Sequence, residues 1–178
     1  MKIGVIGGGR VGRALAASWS EKGHDVVVST RETVAATAAG GDVLVVALPA
    51  TEVAGALAQI ASVDGKVVID ATNNLSGGPA GLEIAALVPG AHYVKAFNTV
   101  FATFMHAASL TSPPTLVYCG DDADVKTIAA ELIGDLGFEP LDAGGADVTP
   151  LVEAFAQLVI GIAYRQGRGP FVYRFESS

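Results

Sequence analysis

The sequence predicts an α/β fold with a doubly wound, mainly parallel sheet and a short C-terminal helical extension, formed by one domain of 178 residues. Short apolar β-like runs alternate with segments of helical periodicity along the chain, which is typical of βαβ units. A glycine-rich turn follows the first run, where such sheets commonly bind a ligand. The composition is 51% hydrophobic and 16% charged, which fits strands covered by helices on both faces.

Seven strands are expected, because seven short runs rich in Val, Ile and Leu are separated by turn-forming segments. They lie at about residues 2–6, 25–29, 43–47, 66–70, 91–95, 115–119 and 138–141. The run Val43–Leu48 ends at Pro49 and is far shorter than the roughly 20 residues of a membrane-spanning helix. The first strand also lacks the pattern of a signal peptide. We therefore expect a cytoplasmic protein that does not enter a membrane.

Two helices carry clear apolar faces. The helix at about residues 10–22 has Val11, Leu15 and Trp19 at four-residue spacing, so this face should pack on the sheet with Trp19 in the core. The helix at about residues 122–136 has acidic residues in its first turn and a glycine after its end. Its apolar face consists of Val125, Ile128, Ala129, Leu132, Ile133 and Leu136.

The last helix should begin with Thr149 as its cap and Pro150 at its first position, and run to about Tyr164. Only Glu153 and Gln157 interrupt an otherwise apolar surface. Such a helix is usually buried. We therefore expect a homodimer that forms through this helix.

The segment Gly7-Gly8-Gly9-Arg10-Val11-Gly12 satisfies the pattern G-x-G-x-x-G between the first strand and the first helix. Gly7 permits a tight turn, Gly9 leaves room for a pyrophosphate, and Gly12 lets the helix approach the strand. The amides at the start of the helix would bind the diphosphate. This pattern predicts a Rossmann-type dinucleotide-binding core over residues 1–145, followed by a helix and tail over residues 146–178.

The second strand ends in Ser29-Thr30-Arg31, where NAD-binding proteins keep an acid for the ribose 2′-hydroxyl. Two hydroxyls and a guanidinium can instead bind a 2′-phosphate, so NADP is preferred over NAD. Glu32 opposes this preference, but we expect it to cap the next helix. A solvated surface charge is the alternative reading of Arg31.

Residues beyond the carboxyl ends of the third, fourth and fifth strands should surround the nicotinamide. The third strand is followed by Ala47, Leu48 and Pro49, the fourth by Asn73 and the fifth by Asn98. For Asn98, a role in stabilising a turn is as plausible as contact with the ligand. We assign no side chain a catalytic role, and His24, His92 and His106 form no cluster with the cofactor motifs.

Several segments resemble the NADP oxidoreductases that depend on coenzyme F420, a deazaflavin, and their ferric-reductase relatives. Besides the glycine loop and Ser29–Arg31, the matching segments are Ile69–Asn73, Val94–Val100, Tyr118–Asp122 and Leu136–Pro140. The resemblance implies hydride transfer between NADP and a flavin-like acceptor. It also implies that the glycine loop, Ser29, Thr30 and Arg31 hold the dinucleotide, with Leu48, Pro49, Asn73 and Asn98 beside the reacting ring.

This chain departs from that family in its short length, in a compressed segment between the second and third strands, and in having Asn74 where a proline is common. The acceptor could therefore be F420, a flavin or chelated iron, or the protein could be an NADP-sensing module without catalysis. An imine or hydroxy-acid reductase is less expected, because only about thirty residues follow the core.

Charge limits the classes of partner. The net charge of −7 argues against nucleic acid, and a small-molecule hydride acceptor is the expected partner. An anionic F420 tail would need local cations, for which Arg165, Arg168 and Arg174 are candidates, with Lys95 assisting. Surface or interface salt bridges are the alternative role of these arginines. The single cysteine, Cys119, makes a cysteine-based metal site very unexpected, and no metal is predicted.

Overall fold

The computed structural model describes residues 1–75, 80–105 and 110–176, and its elements follow the predicted order. All seven predicted strands are present, with ends shifted by about one residue. The strands are β1 (Lys2–Ile6), β2 (Asp25–Val28), β3 (Val43–Val46), β4 (Val67–Asp70), β5 (His92–Lys95), β6 (Thr115–Gly120) and β7 (Glu139–Asp142). The helices are α1 (Arg10–Glu21), α2 (Val34–Gly40), α3 (Ala50–Leu57), α4 (Leu82–Ala86), α5 (Ala123–Asp135) and α6 (Thr149–Ile160).

The strands form one sheet in the order β2-β1-β3-β4-β5-β6-β7. Strands β1 to β5 are parallel, β6 is antiparallel to β5, and β7 is parallel to β6. The chain moves to one side of β1 to form β2 and then to the other side to form β3. This reversal of direction creates a crevice between β1 and β3 at the carboxyl edge of the sheet.

Both faces of the sheet are covered by apolar side chains. One cluster combines Leu15 and Trp19 of α1 with Leu132 of α5, and the opposite cluster includes Val53 of α3 and Ile84 of α4. Trp19 is completely buried, as predicted, and its Nε1 donates to the carbonyl of Leu132 at 2.9 Å. Helices on both faces explain why the strands of this sheet are continuous apolar runs.

Helix α6 packs on β6 through one side only. Val152, Ala156, Val159 and Ala163 are buried, whereas Leu151 and Leu158 on the other side are 70% and 59% exposed. The helix continues past Ile160 as a π-helical turn, Gly161–Arg165. The small and branched residues therefore face the sheet, and the large leucines form a surface.

The predicted cap of α6 is wrong. Thr149 is the first residue of the helix, and its hydroxyl donates to the carbonyl of Ala146 at 2.7 Å instead of accepting from a backbone amide. A short 3₁₀ turn, Ala146–Val148, leads into the helix. Because this turn continues the helical path, the helical segment starts earlier than Pro150 indicates.

Among the described residues, one helical stretch, Ala146–Arg165, is long and apolar enough to cross a membrane by length and composition alone. The sequence-based expectation of no membrane segment rested on Val43–Leu48, which is shorter than this stretch. Within the fold it packs against β6, and Glu153 from its middle forms an ion pair with a buried lysine. The same test is passed by core helices of soluble proteins, so the stretch is weak evidence for a membrane segment.

Candidate functional site

The candidate site is a cleft along the carboxyl edge of the parallel strands. It begins at the crevice between β1 and β3, with β2 on one side and β4 and β5 on the other. Adjacent strands lie about 4.8 Å apart, so the edge from β2 to β5 spans roughly 19 Å. An elongated ligand such as a dinucleotide can therefore lie along this edge.

The glycines of the phosphate loop have distinct physical roles. Gly7 has a φ of 122°, and a Cβ on this residue would overlap the carbonyl of Ala47. A Cβ on Gly12 would overlap the carbonyl of Gly7, so α1 can approach β1 only without that side chain. A Cβ on Gly9 would meet no atom within 4 Å. Gly7 and Gly12 therefore shape the loop, while Gly9 keeps space open at its surface.

The N-terminus of α1 faces this open space without a side-chain cap. Gly9 occupies the capping position, and no side chain accepts a hydrogen bond from the first turn. Free amides and the positive end of the helix dipole at this point favour an anion. Arg13, one turn into α1, also lines the cleft.

Ser29 and Thr30 lie at the β2 end of the cleft. The Ser29 hydroxyl is buried and accepts from the Gly7 amide at 3.3 Å, which ties the end of β2 to the glycine loop. The Thr30 hydroxyl donates to Glu32 Oε2 at 2.8 Å, and its amide donates to Thr33 Oγ1 at the same distance. The hydrogen bond from Thr30 lowers the pKa of the Glu32 carboxyl below its ordinary value.

The expected capping role of Glu32 is wrong. Helix α2 begins at Val34, and Glu32 bonds back to Thr30 rather than to the helix amides. Glu32 therefore stabilises the turn between β2 and α2. It also leaves a carboxylate beside the hydroxyl that was expected to bind a 2′-phosphate.

Arg31 extends across the mouth of the cleft and is 86% exposed. Its Nη2 lies 3.9 Å from Glu52 Oε2 in the first turn of α3. An exposed pair at this distance contributes little to stability. The guanidinium is consequently held only weakly and can turn to a stronger anion such as a phosphate.

The part of the cleft at the ends of β1, β2 and β3 has a volume of about 900 Å³, which suits a small-molecule ligand. Nine of the predicted site residues line it, namely Gly7, Gly8, Gly9, Ser29, Thr30, Arg31, Ala47, Leu48 and Pro49. The other five do not. Arg10 is exposed at the start of α1, Val11 packs toward the core, Gly12 lies beneath the loop, and Asn73 and Asn98 lie farther along the edge.

Sequence reasoning missed the part of the cleft wall that α3 and its connection supply. Glu52, Gly55, Ala56 and Gln59 line the cleft, together with Arg13 and Val34. The spacing of Glu52, Ala56 and Gln59 places them on one helix face. In a helix that starts directly after Pro49, this spacing could have predicted that the three residues face the ligand.

Asn73 and Asn98 meet at the β4 and β5 end of the cleft. Asn73 Nδ2 donates to the carbonyl of Asn98 at 2.8 Å, and Asn98 Nδ2 lies 3.4 Å from Asn73 Oδ1. Asn98 is buried and its Oδ1 has no hydrogen-bond partner. A buried acceptor without a partner is costly, so this atom is suited to a ligand donor.

Phe97, between β5 and Asn98, has a left-handed backbone with φ of 66°. This conformation is uncommon for a bulky residue and persists only where the surroundings enforce it. Phe97 is buried and its ring meets Trp19 edge to face, with centroids 5.4 Å apart. Core packing thus sets the backbone direction at the residue that precedes Asn98.

The expectation that Lys95 assists an anionic ligand is wrong. Lys95 is completely buried, and its ammonium is bonded to Asp70, Glu153 and the carbonyl of Thr72. Arg165 and Arg168 are exposed, and Arg168 lies 5.9 Å from the ring centroid of Phe171. Arg174 pairs with Glu176 at 3.3 Å, so it serves a surface ion pair.

The histidines in the described ranges do not reach the cleft. His24 lies 2.8 Å from Asp135, and His92 lies 2.8 Å from Asp122. His106 lies outside the described residues. Cys119 is buried beside Thr149, and burial raises the pKa of its thiol. In the described part of the chain no group of His, Cys, Asp and Glu side chains could hold a metal ion.

Comparison with known proteins supports the resemblance seen in the sequence. Residues 2–40 match the sequence model of the family described as NADP oxidoreductase, coenzyme F420-dependent. The metalloreductase STEAP3 of Rattus norvegicus is 27% identical over 174 residues, covering 86% of this chain and 36% of that protein. The chain therefore spans little more than a third of this relative.

Solved structures confirm the fold. A candidate F420-dependent NADP reductase from Arthrobacter sp. FB24 matches with a TM-score of 0.89 and 25% identity, covering 99% of this chain and 100% of that one. A reductive aminase from Aspergillus terreus, solved with NADPH, matches with a TM-score of 0.71 and 18% identity, covering 93% and 62%. The expected enzyme class, an NADP-dependent oxidoreductase, agrees with these comparisons.

Two glycine substitutions separate the structural role of the loop from its binding role. Gly9→Ala should leave the free energy of unfolding within about 1 kcal/mol of wild type, because the new Cβ meets open space. It should nevertheless weaken dinucleotide binding, because the methyl group occupies the space left for phosphate.

Gly12→Ala should lower both stability and binding, because its Cβ overlaps the Gly7 carbonyl. Urea denaturation and titration with NADPH measure the two effects, and Gly134→Ala on α5 is a control with open space around its Cβ. Unchanged NADPH affinity in Gly9→Ala would show that phosphate does not approach this residue.

Proposed function

We propose that the protein is an oxidoreductase that transfers a hydride between NADP(H) and a flavin-like acceptor, with coenzyme F420 as the first candidate. The observation that carries this proposal is the likeness to the candidate F420-dependent NADP reductase, which extends over both chains almost completely. A match of this extent supports the proposal along the whole chain, from the glycine loop to α6. The family matched by residues 2–40 has the same two substrates in its description.

The residues in the cleft fit a dinucleotide phosphate. The uncapped amides of α1 and the open space at Gly9 suit the diphosphate. Arg31, held by Glu52 only at 3.9 Å, is free to pair with a 2′-phosphate. When bound, NADPH supplies a hydride from its reduced ring, and the acceptor takes it with one proton from water.

The chain itself would orient the rings and exclude water. Leu48 and Pro49 give the nicotinamide an apolar wall, and Asn98 Oδ1 offers an acceptor to its carboxamide. Hydride transfer between stacked rings requires near-attack geometry more than a side-chain acid. The position of Asn73 and Asn98, fixed by their mutual hydrogen bond, serves that requirement.

A second candidate function is the reduction of a flavin or chelated ferric iron by NADPH. The specific observation in its favour is the 27% identity with a protein named a metalloreductase, over most of this chain. The proposed cleft for NADPH is the same in both cases. The two candidates differ only in the group that accepts the hydride or its electrons.

An acceptor panel tests the proposal. Purified protein with NADPH, and separately with NADH, is offered F420, FAD, FMN and a ferric chelate, and NADPH oxidation is followed by absorbance. We expect turnover with F420 and a preference for NADPH. Turnover with flavins or iron but not F420 would favour the second candidate, and tight NADPH binding without any turnover would indicate an NADP-sensing module.

Arg31→Ala tests the assignment of the 2′-phosphate. Loss of charge-assisted hydrogen bonds should raise the Kd for NADPH about tenfold or more and change the Kd for NADH much less. Titration followed by the fluorescence of the reduced cofactor measures both values. Arg168→Ala, which removes an exposed arginine of the tail, is the control. Equal losses for NADPH and NADH would contradict the role of Arg31.

We also propose that the chain forms a homodimer through α6. The exposed leucines of this helix, Leu151 and Leu158, are seven residues apart on one helix face and form an apolar surface. Such surfaces on soluble proteins commonly mark interfaces.

Leu158→Asp should convert a dimer into a monomer in sedimentation velocity experiments, because it places a charge in the interface. Leu82→Asp alters an exposed leucine of α4 and should leave the dimer intact. A wild-type protein that is monomeric at all concentrations would contradict this interface.

A further inference from the structure

A buried ion cluster lies at the ends of β4 and β5. The Lys95 ammonium donates to Asp70 Oδ2, to Glu153 Oε1 and to the carbonyl of Thr72, each at 2.9 Å. The side chains of Lys95 and Asp70 are fully buried, and that of Glu153 is 14% exposed. All donors of the ammonium are used, so Lys95 has none left for a ligand.

The cluster is extended by two further hydrogen bonds to Asp70. Its Oδ1 accepts from the Thr72 amide, and its Oδ2 accepts from the Tyr93 hydroxyl, both at 2.9 Å. Burial and the neighbouring Asp70 carboxylate raise the pKa of Tyr93 well above its ordinary value, so the phenol remains a donor. The carboxylate of Asp70 thus organises the turn that follows β4.

The stability of the fold does not by itself explain why this ion cluster is buried. Removing charges from water is costly, and well-packed apolar residues usually replace a buried ion pair without loss of stability. A buried ionic cluster does, however, require one specific geometry to satisfy all of its members. The cluster therefore fixes the relative positions of the elements that it joins.

The cluster joins three elements around the far end of the cleft. Thr72 precedes Asn73, Lys95 precedes the strained Phe97 and Asn98, and Glu153 comes from α6. Asn73 and Asn98 are themselves hydrogen-bonded. The loops after β4 and β5 and the C-terminal helix consequently share one set of polar contacts.

Helix α6 also bounds a cavity at this end. About 240 Å³ lies between Asn74 and Leu75 on one side and Gln157, Ile160 and Tyr164 on the other. Glu153 lies one turn before Gln157 on the same helix. Its bond to Lys95 therefore anchors the part of α6 that sets the width of this cavity.

We propose that Lys95 and Glu153 are positioning residues, which hold the loops after β4 and β5 against α6 so that the nicotinamide and its acceptor meet at a fixed separation. This inference rests on the proposed function. The two residues act through Thr72, Asn73 and Asn98 and touch neither substrate. The ligand class served is the flavin-like acceptor of the proposed function.

The first test uses no acceptor. Glu153→Ala leaves Lys95 paired with Asp70, so the buried charges remain balanced and the variant is expected to fold. Amide hydrogen exchange in the loops at residues 72–75 and 96–99 should become at least about tenfold faster in Glu153→Ala. Glu153→Gln, which can still accept from Lys95, should stay close to wild type, and Glu131→Ala on the exposed face of α5 is the control.

The second test uses the acceptor that gives turnover with the wild-type protein. Glu153→Ala should lower kcat by about tenfold to a hundredfold, because small displacements of reacting groups are costly. The KM for NADPH should change by a smaller factor than kcat, because the phosphate loop and Arg31, which hold the other end of the cofactor, are unaltered. Glu153→Gln should restore most of kcat.

Three results would overturn the positioning role. They are unchanged exchange in both loops of Glu153→Ala, parallel losses of kcat and NADPH affinity, and a Glu153→Gln variant as impaired as Glu153→Ala. A wild-type protein without turnover on any acceptor would contradict the proposed function only. In that case the exchange measurements still decide whether Glu153 orders the loops.

Discussion

The close approach of β1, β3 and α1 is the constraint on which the rest of the site depends. The carbonyl groups of Gly7 and Ala47 occupy the positions that side chains on Gly12 and Gly7 would take. Because no Cβ is present, α1 starts immediately beyond the strand edge and points its amides into the crevice. The open surface at Gly9, the tie from Ser29 to Gly7 and the wall formed after β3 all follow from this approach.

Opposing charges lie at the β2 end of the cleft, where the 2′-phosphate of the proposed cofactor would bind. Arg31 and Arg13 supply positive charge, while Glu32 and Glu52 supply negative charge. Glu32 is committed to Thr30 at 2.8 Å, but the contact of Glu52 with Arg31 is longer and exposed. A phosphate can therefore displace Glu52 from Arg31 at little cost, whereas a ribose hydroxyl offers much less in exchange.

Local sequence patterns predicted the elements well, but not the hydrogen-bond partners of individual side chains. The strands, the apolar face of α5 and the glycine loop each depend on residues that are close in the chain, so periodicity and spacing were sufficient. Lys95 was expected to assist an anionic ligand, because its partners Asp70 and Glu153 lie 25 and 58 residues away and the sequence does not reveal the pairing. The roles of Glu32 and Thr149 were mistaken because each bonds to a residue two or three positions earlier, which residue type alone does not indicate.

Helix α6 has different surroundings on its inner and outer sides. Its inner side carries small and branched residues against β6, together with the one carboxylate that reaches Lys95. Its outer side carries exposed leucines, and removing their apolar surface from water would be favourable. If a second copy of the chain covers those leucines, the same contact fixes the helix whose flank, at Gln157 and Ile160, borders the cavity beside Asn74. Assembly and the geometry of the reacting ends would then be coupled through a single rigid helix, with Glu153 as the link between them.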